Sequence, residues 1–229
     1  MKKNRLYSIL IVSVILLFPS LLYVIFATGK HHIDEMEVFG PESDSGLYKV
    51  PEATFYSHLG DSFSTSELDS NIIIYNFFCL NCSDSSARNA LLVKAITERF
   101  FDKKDIKYLT INLTPSDWDD EQVTEYVKPF NIEEDQWFFV NQDSNYLANF
   151  VHNGLLINSK YDDNKKPYGP GMASIVIVDK DHHIRGYFDG NQYIDQSSII
   201  DVVKRVRLEE YQRKSKRRED NFERRRIEK

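Results

Sequence analysis

Cysteine is nearly missing from this chain, which has only Cys79 and Cys82 among 229 residues. Two cysteines and six histidines are too few for a disulfide-built scaffold. The signatures of several common catalytic machineries are also absent. No Gly-rich phosphate loop, H-E-x-x-H or G-x-S-x-G occurs. There is no internal repeat. Excess positive charge over the body is lacking too. Lys204–Lys229 carries 12 basic and 6 acidic residues, while the other 203 residues carry 17 and 29. An acidic body argues against nucleic acid as a partner. A basic tail on such a body bears on association and orientation rather than on fold.

Charge is wholly missing from Leu6–Thr28, LYSILIVSVILLFPSLLYVIFAT. At about 1.5 Å per residue, such a run can cross a hydrocarbon core of about 30 Å. It is longer than the apolar region of a signal peptide, and "IFATGK" is a poor cleavage site. The expectation is therefore an uncleaved single-pass anchor at 6–28, behind a cytoplasmic N-terminus at 1–5. Pro19 is tolerable there. Lys2, Lys3 and Arg5 precede the span, and Asp34, Glu35 and Glu37 follow Lys30. The positive-inside bias places the body outside the inner (cytoplasmic) membrane, in a periplasmic or other extracytoplasmic space that permits disulfides.

Beyond the span, 29–47 reads as a linker, 48–208 as one α/β domain and 209–229 as a charged helical tail. Within the domain, Val50–Ser57 is a strand candidate, and Gly60-Asp61 turns into a second, "SFS". Ile72–Cys79 (IIIYNFFC), Ile106–Leu113 (IKYLTINL) and Ser174–Val178 (SIVIV) are continuous apolar runs of the kind buried on both faces of a sheet. Helices are expected after Ser83–Ser86, over Asp119–Val127 up to Pro129, over Asn145–Val151 and over Ser197–Leu208. Short strands are expected at Trp137–Val140 and His183–Phe188. A buried strand that runs into a cysteine-bearing loop at a helix N-terminus, with a late hairpin and a final helix, is a thioredoxin-like arrangement with a central mixed sheet. Such a helix N-terminus stabilises a thiolate.

Three stretches carry a family resemblance: "NFFCLNCSDSSA", "LTINLTPSDWDDEQVTEYVKPFNI" and "MASIVIVDKDHHIRGYFDG". From about Lys49 to Leu208 the chain resembles the SCO/SenC family of membrane-anchored thioredoxin-fold proteins tied to copper delivery to cytochrome oxidase. The resemblance implies copper as cargo, and a respiratory oxidase subunit or another envelope protein as partner. In register, the family's first cysteine falls on Cys82 and its second on Ser86. The positions after each cysteine are Ser83 and Ala87, where the family has proline. The family's histidine ligand falls on Gly171, beside Met172, and the family's Asp before Pro115 is Thr114. Cys79 is extra.

Three readings of the cysteines stay open. They are a thiol-disulfide couple, although Cys79 comes about one turn early for a thioredoxin-type pair. They are Cu(I) ligands, whose soft thiols the Met172 thioether could complete. Or they are remnants in a docking module without chemistry, with Cys79 as a small core residue. The remaining candidates have plainer readings. His182-His183 reads as an exposed turn, His31-His32 as interfacial residues, His152 as a helix C-terminal cap and Trp118 and Trp137 as packing residues.

Overall fold

The computed structural model describes residues 2–28, 35–42, 46–78, 85–114, 118–130, 135–157, 174–189 and 195–227. The chain divides into two units, Met1–Glu35 and Met36–Lys229.

The first unit holds helix α1 (Lys2–Thr28), with Pro19 in its interior. The side chains described on it, Tyr7 and Ile11–Ile25, are exposed. Among the described residues no helix is long and apolar enough to cross a membrane.

Among the described residues, the second unit is built on seven strands: β1 (Thr54–Ser57), β2 (Ser62–Ser64), β3 (Ile72–Phe78), β4 (Ile106–Asn112), β5 (Trp137–Asn141), β6 (Ser174–Val178) and β7 (Ile184–Asp189). The α-helices described beside them are α2 (Ser85–Arg99), α3 (Asp120–Val127), α4 (Ser144–Asn149) and α5 (Asp195–Ile227). The strands form one mixed sheet in the order β2-β1-β5-β4-β3-β6-β7. β3, β4 and β5 are parallel, while β6, β7, β1 and β2 add antiparallel partners.

β3 shows why its sequence reads as a continuous apolar run. All seven of its residues are buried, and strand periodicity deals them to opposite faces. Ile73, Tyr75 and Phe77 join a core with Leu109, Ile111, Val176 and Phe150. Ile72, Ile74 and Phe78 join the other, where α2 contributes Val93 and Ile96, α3 contributes Val123, and α5 contributes Ile199, Val203 and Val206. Asp119 starts α3 by accepting the Glu121 and Gln122 backbone N–H groups at 3.0 and 3.2 Å.

The β6–β7 hairpin is locked by buried charge. Asp179 accepts the backbone N–H groups of Asp181 and His183 at 3.0 and 2.9 Å. Its other oxygen accepts from Arg185 at 2.8 Å, and Arg185 reaches Glu209 of α5 at 2.5 Å. Arg185 also donates to the Met36 carbonyl at 3.1 Å, while the Met36 N–H donates to Glu209 at 2.6 Å. Burial works against the Arg185 charge, but the hydrogen bonds it donates to Asp179 and Glu209 outweigh it and hold its pKa above the ordinary value. Next in the motif, Gly186 has a steric role. A Cβ there would come within 2.8 Å of the Phe188 ring and 3.7 Å of Val202 on α5.

Several sequence expectations change shape. The first strand is Thr54–Ser57 rather than Val50–Ser57. The final helix does not stop at Leu208, because the run to Ile227 has no Gly or Pro and is rich in Glu, Lys and Arg. Glu209 and Glu210, at the start of the expected tail, are buried against the hairpin. Within the expected linker, Phe39 bridges Ile184 and packs edge-on to Tyr187 at 5.4 Å. The two turn histidines are half-buried rather than exposed. His182 takes a left-handed φ of 67° and pairs with Asp69 at 3.0 Å, and His183 Nδ1 sits 2.7 Å from the Tyr48 carbonyl. Histidine tolerates that left-handed backbone better than most residues.

Candidate functional site

In a sheet of this kind, ligands gather where parallel strands release their carboxyl ends. Here that end is formed by Phe78 of β3 and Asn112 of β4, which are paired in register. The Leu113 N–H donates to the Phe78 carbonyl at 2.8 Å, which keeps the two exits together for one residue more. β6 runs antiparallel to β3, with Tyr75 opposite Val176, so its first residue, Ser174, lies at the same end.

Cys79, Cys82 and Met172 all lie outside the described residues. Their described neighbours frame the site. Cys79 directly follows Phe78, and Met172 stands two residues before Ser174. α2 begins at Ser85, which places Ser86 in its first turn. That is the place where a thioredoxin-type pair has its second cysteine. Gly171 is likewise outside the described residues. Thr114 is described, and it is committed to local structure. Asn112 accepts its N–H and its hydroxyl, each at 3.2 Å, and donates to its carbonyl at 2.9 Å. Thr114, which departs from the Asp of the resemblance, is a neutral group folded onto Asn112 of β4.

Beneath this end lies an uncharged polar relay. Thr110 donates to Asn76 Oδ1 at 2.6 Å and accepts from Trp137 Nε1 at 2.7 Å. All three residues are buried, and Asn76 Nδ2 has no hydrogen-bond partner among the described residues. Trp137 is thus more than a packing residue. Trp118 packs edge-on to Phe78 and donates to Asp120 at 2.7 Å.

Beside the same end, on the other face, an apolar groove of about 440 Å³ is lined by Phe77, Leu113, Ala148, Val151, His152 and Ile157. One wall is a π-helical turn, Phe150–Gly154, in which His152 Nδ1 lies 3.1 Å from the Ile157 carbonyl. His152 therefore does stand at a helix end. Among the described residues, no group of three or more His, Cys, Asp or Glu is placed to hold a metal ion.

Sequence reasoning missed the Asp179–Arg185–Glu209 lock and the Thr110 relay. The first had a trace in "DKDHHIRGYFDG", whose Arg sits on a strand where charge is unusual. The second had none, because Asn76 and Thr110 are ordinary residues until β3 and β4 are paired.

Comparison with known proteins adds the following. No protein-family model matches the chain, and no curated protein matches it. Solved structures do match. One is BsSco, a member of the Sco family of cytochrome c oxidase assembly proteins, in work identifying a disulfide switch. It has a TM-score of 0.59 at 16% identity, covering 74% of this chain and 97% of that one. A SCO1/SenC family lipoprotein from Bacillus anthracis has a TM-score of 0.58 at 14% identity, covering 69% and 95%. Arabidopsis thaliana ScoI with copper bound has a TM-score of 0.54 at 16% identity, covering 70% and 99%. The likeness is one of fold: a mixed-sheet, thioredoxin-like α/β domain of the kind seen in Sco structures.

Proposed function

We propose that this chain is a divergent SCO/SenC-type protein, anchored by α1 in the inner membrane with its α/β domain on the extracytoplasmic side. In this reading it serves copper handling or respiratory oxidase assembly through Cys82. The observation that carries the reading is the thioredoxin-like sheet, alike over almost the full length of several Sco structures. Its strand β3 is followed in sequence by Cys79 and Cys82, the latter in the register of the SCO/SenC first cysteine. The anchor rests on the uncharged run Leu6–Thr28, its exposed apolar side chains and the flanking charges.

Copper is the cargo in this reading. Thiolates and thioethers are soft donors suited to Cu(I), so the available set is Cys82, Cys79 and Met172. Cys79 and Met172 belong to it because β3 and β6 are neighbours and share the sheet end at Phe78 and Ser174. Ser86 and Gly171, standing where two family ligands fall, supply no soft donor.

Anaerobic Cu(I) titration of the full-length chain in detergent, against a competing chromophoric chelator, tests the reading. Stoichiometric binding is expected in the wild type and its loss in Cys82→Ser. Binding that is absent, or indifferent to Cys82, removes copper from the function. A second reading, a thiol-disulfide couple between Cys79 and Cys82, draws on the disulfide switch described for BsSco. It predicts that a mild oxidant protects both thiols from alkylation together. If both tests are negative, a docking module without chemistry remains.

A further inference from the structure

The Val178 end of the sheet, opposite the Phe78 end, carries a second concavity that the copper reading does not use. It is a groove of about 460 Å³ between α5 and the segment around Asp105 and Lys180. α5 lines it with Lys204, Arg207, Leu208, Tyr211 and Lys214. These positions recur at helical spacing and so share one face. Four cations therefore meet two carboxylates, Asp105 and Glu210.

The charges are not mutually spent. Asp105 takes one hydrogen bond from Lys180 at 2.9 Å and holds Arg207 at 3.2 Å. An ammonium has three donors and a guanidinium five, so both cations keep donors to offer. Lys204 and Lys214 are exposed; Lys204 gives one hydrogen bond to Asp201 at 3.2 Å and keeps two donors. Glu210, only 9% exposed, contributes an oxygen, Oε1, that has no hydrogen-bond partner among the described residues. Its ion-pair contact with Arg213, at 3.9 Å, is beyond hydrogen-bond reach.

Two apolar side chains interrupt the charge. Leu208 and Tyr211 are 48% and 73% exposed on an otherwise polar face. They serve no core, and they line the same groove.

We propose that this groove binds an organic phosphate ester. The phosphate would sit among Lys180, Lys204, Arg207 and Lys214, and its apolar or ring-bearing substituent would lie on Leu208 and Tyr211. A guanidinium fork with several point-charge ammoniums suits a tetrahedral anion with many acceptor oxygens. The groove is larger than one phosphate needs, and its apolar wall calls for a substituent. The ester is either a lipid headgroup or a soluble metabolite.

Phosphorus NMR on the full-length chain in a phosphorus-free, non-ionic detergent tests this with three probes: inorganic phosphate, phenyl phosphate and micelle-incorporated phosphatidic acid. Saturable binding of phenyl phosphate is expected, tighter than that of inorganic phosphate, and weakened about tenfold or more in a Lys204→Ala/Lys214→Ala double variant. Leu208→Ser/Tyr211→Ser should bring phenyl phosphate down to the level of inorganic phosphate. Glu210→Gln should keep or tighten binding, because it removes a repelling carboxylate. Displacement of phenyl phosphate by phosphatidic acid identifies a lipid headgroup as the source, and failure to displace it identifies a soluble ester. The proposal is overturned if no probe saturates. It is equally overturned if Lys216→Ala/Arg217→Ala, outside the groove, weakens binding as much as the groove variant. Neither outcome depends on Cu(I) binding, so this site and the cysteine site stand or fall separately.

Discussion

The two ends of the sheet solve the problem of buried polarity in opposite ways. Among the described residues, the buried charged side chains are Asp179, Arg185, Glu209 and Glu210, all at or beside the Val178 end. Towards the Phe78 end, the buried polar side chains among the described residues include Ser57, Asn76, Thr110 and Asn112, and none of these carries charge. The seven residues of β3 separate the ends by roughly 20 Å, well beyond the screening length of about 8 Å at physiological ionic strength. The charged end ties together the β6–β7 hairpin, α5 and the point where the domain begins at Met36. At the neutral end, β3 stops at Phe78, one residue before Cys79 in sequence, and α2 begins at Ser85. One end holds the architecture with buried charge, and the other, among the described residues, buries only neutral polar groups.

The largest expected effect comes from breaking the charged end. Arg185→Ala strands Asp179 and Glu209 in the interior, and losing one partner of such a network costs about 3–5 kcal/mol. Urea denaturation of the full-length chain should show that loss, while Cu(I) stoichiometry of the folded fraction stays at the wild-type value. A change in copper affinity in the folded fraction would mean that the two ends are coupled after all.

At the neutral end, Thr110→Val removes the hub between Asn76 and Trp137 and leaves both without that partner. A loss of about 1–3 kcal/mol is expected, visible as a lower urea midpoint. A loss as large as that of Arg185→Ala would erase the distinction between the ends.

A smaller effect separates the ends by pH. Burial pushes Asp105 upward, but its hydrogen bonds to Lys180 and Arg207 prevail and hold it below the usual carboxylate range. A carboxyl with a lowered folded pKa stabilises the fold above its unfolded pKa, and that stability fades as pH falls through the folded value. Asp105→Asn should therefore lower the urea midpoint at neutral pH. The two proteins should converge as pH drops below about 4, the ordinary aspartate value. A difference that stays constant across that range would show that the Asp105 charge is not what matters.

How much was legible in advance varies along the chain. β3, β4 and β6 stood out because strands buried on both faces must be apolar at every position. α3 stood out because Asp119 and the acidic first turn announce a helix start. The turn at Gly60 was visible too, and it carries the φ of 86° that glycine allows. The reach of α5 past Leu208 was less visible. A charged sequence reads as a solvated tail until Glu209, Glu210 and Arg213 are seen against Asp179, Asp181 and Arg185. Of the candidate site, the sequence register named Cys82, Ser86 and Thr114. The structure adds that Ser86 is in the first turn of α2 and that Thr114 is bound to Asn112.

By itself, then, the sequence determined the local choices: which runs are strands, where helices start, where charge is missing and which residues carry soft donors. Those follow from periodicity, capping and composition, all within a few residues of chain. Only the tertiary structure decided which distant groups meet. Arg185 finds Glu209, Thr110 links Asn76 to Trp137, and Lys180 faces Lys204 and Lys214 across a groove. Such meetings depend on strand order and helix packing, and no local pattern encodes them.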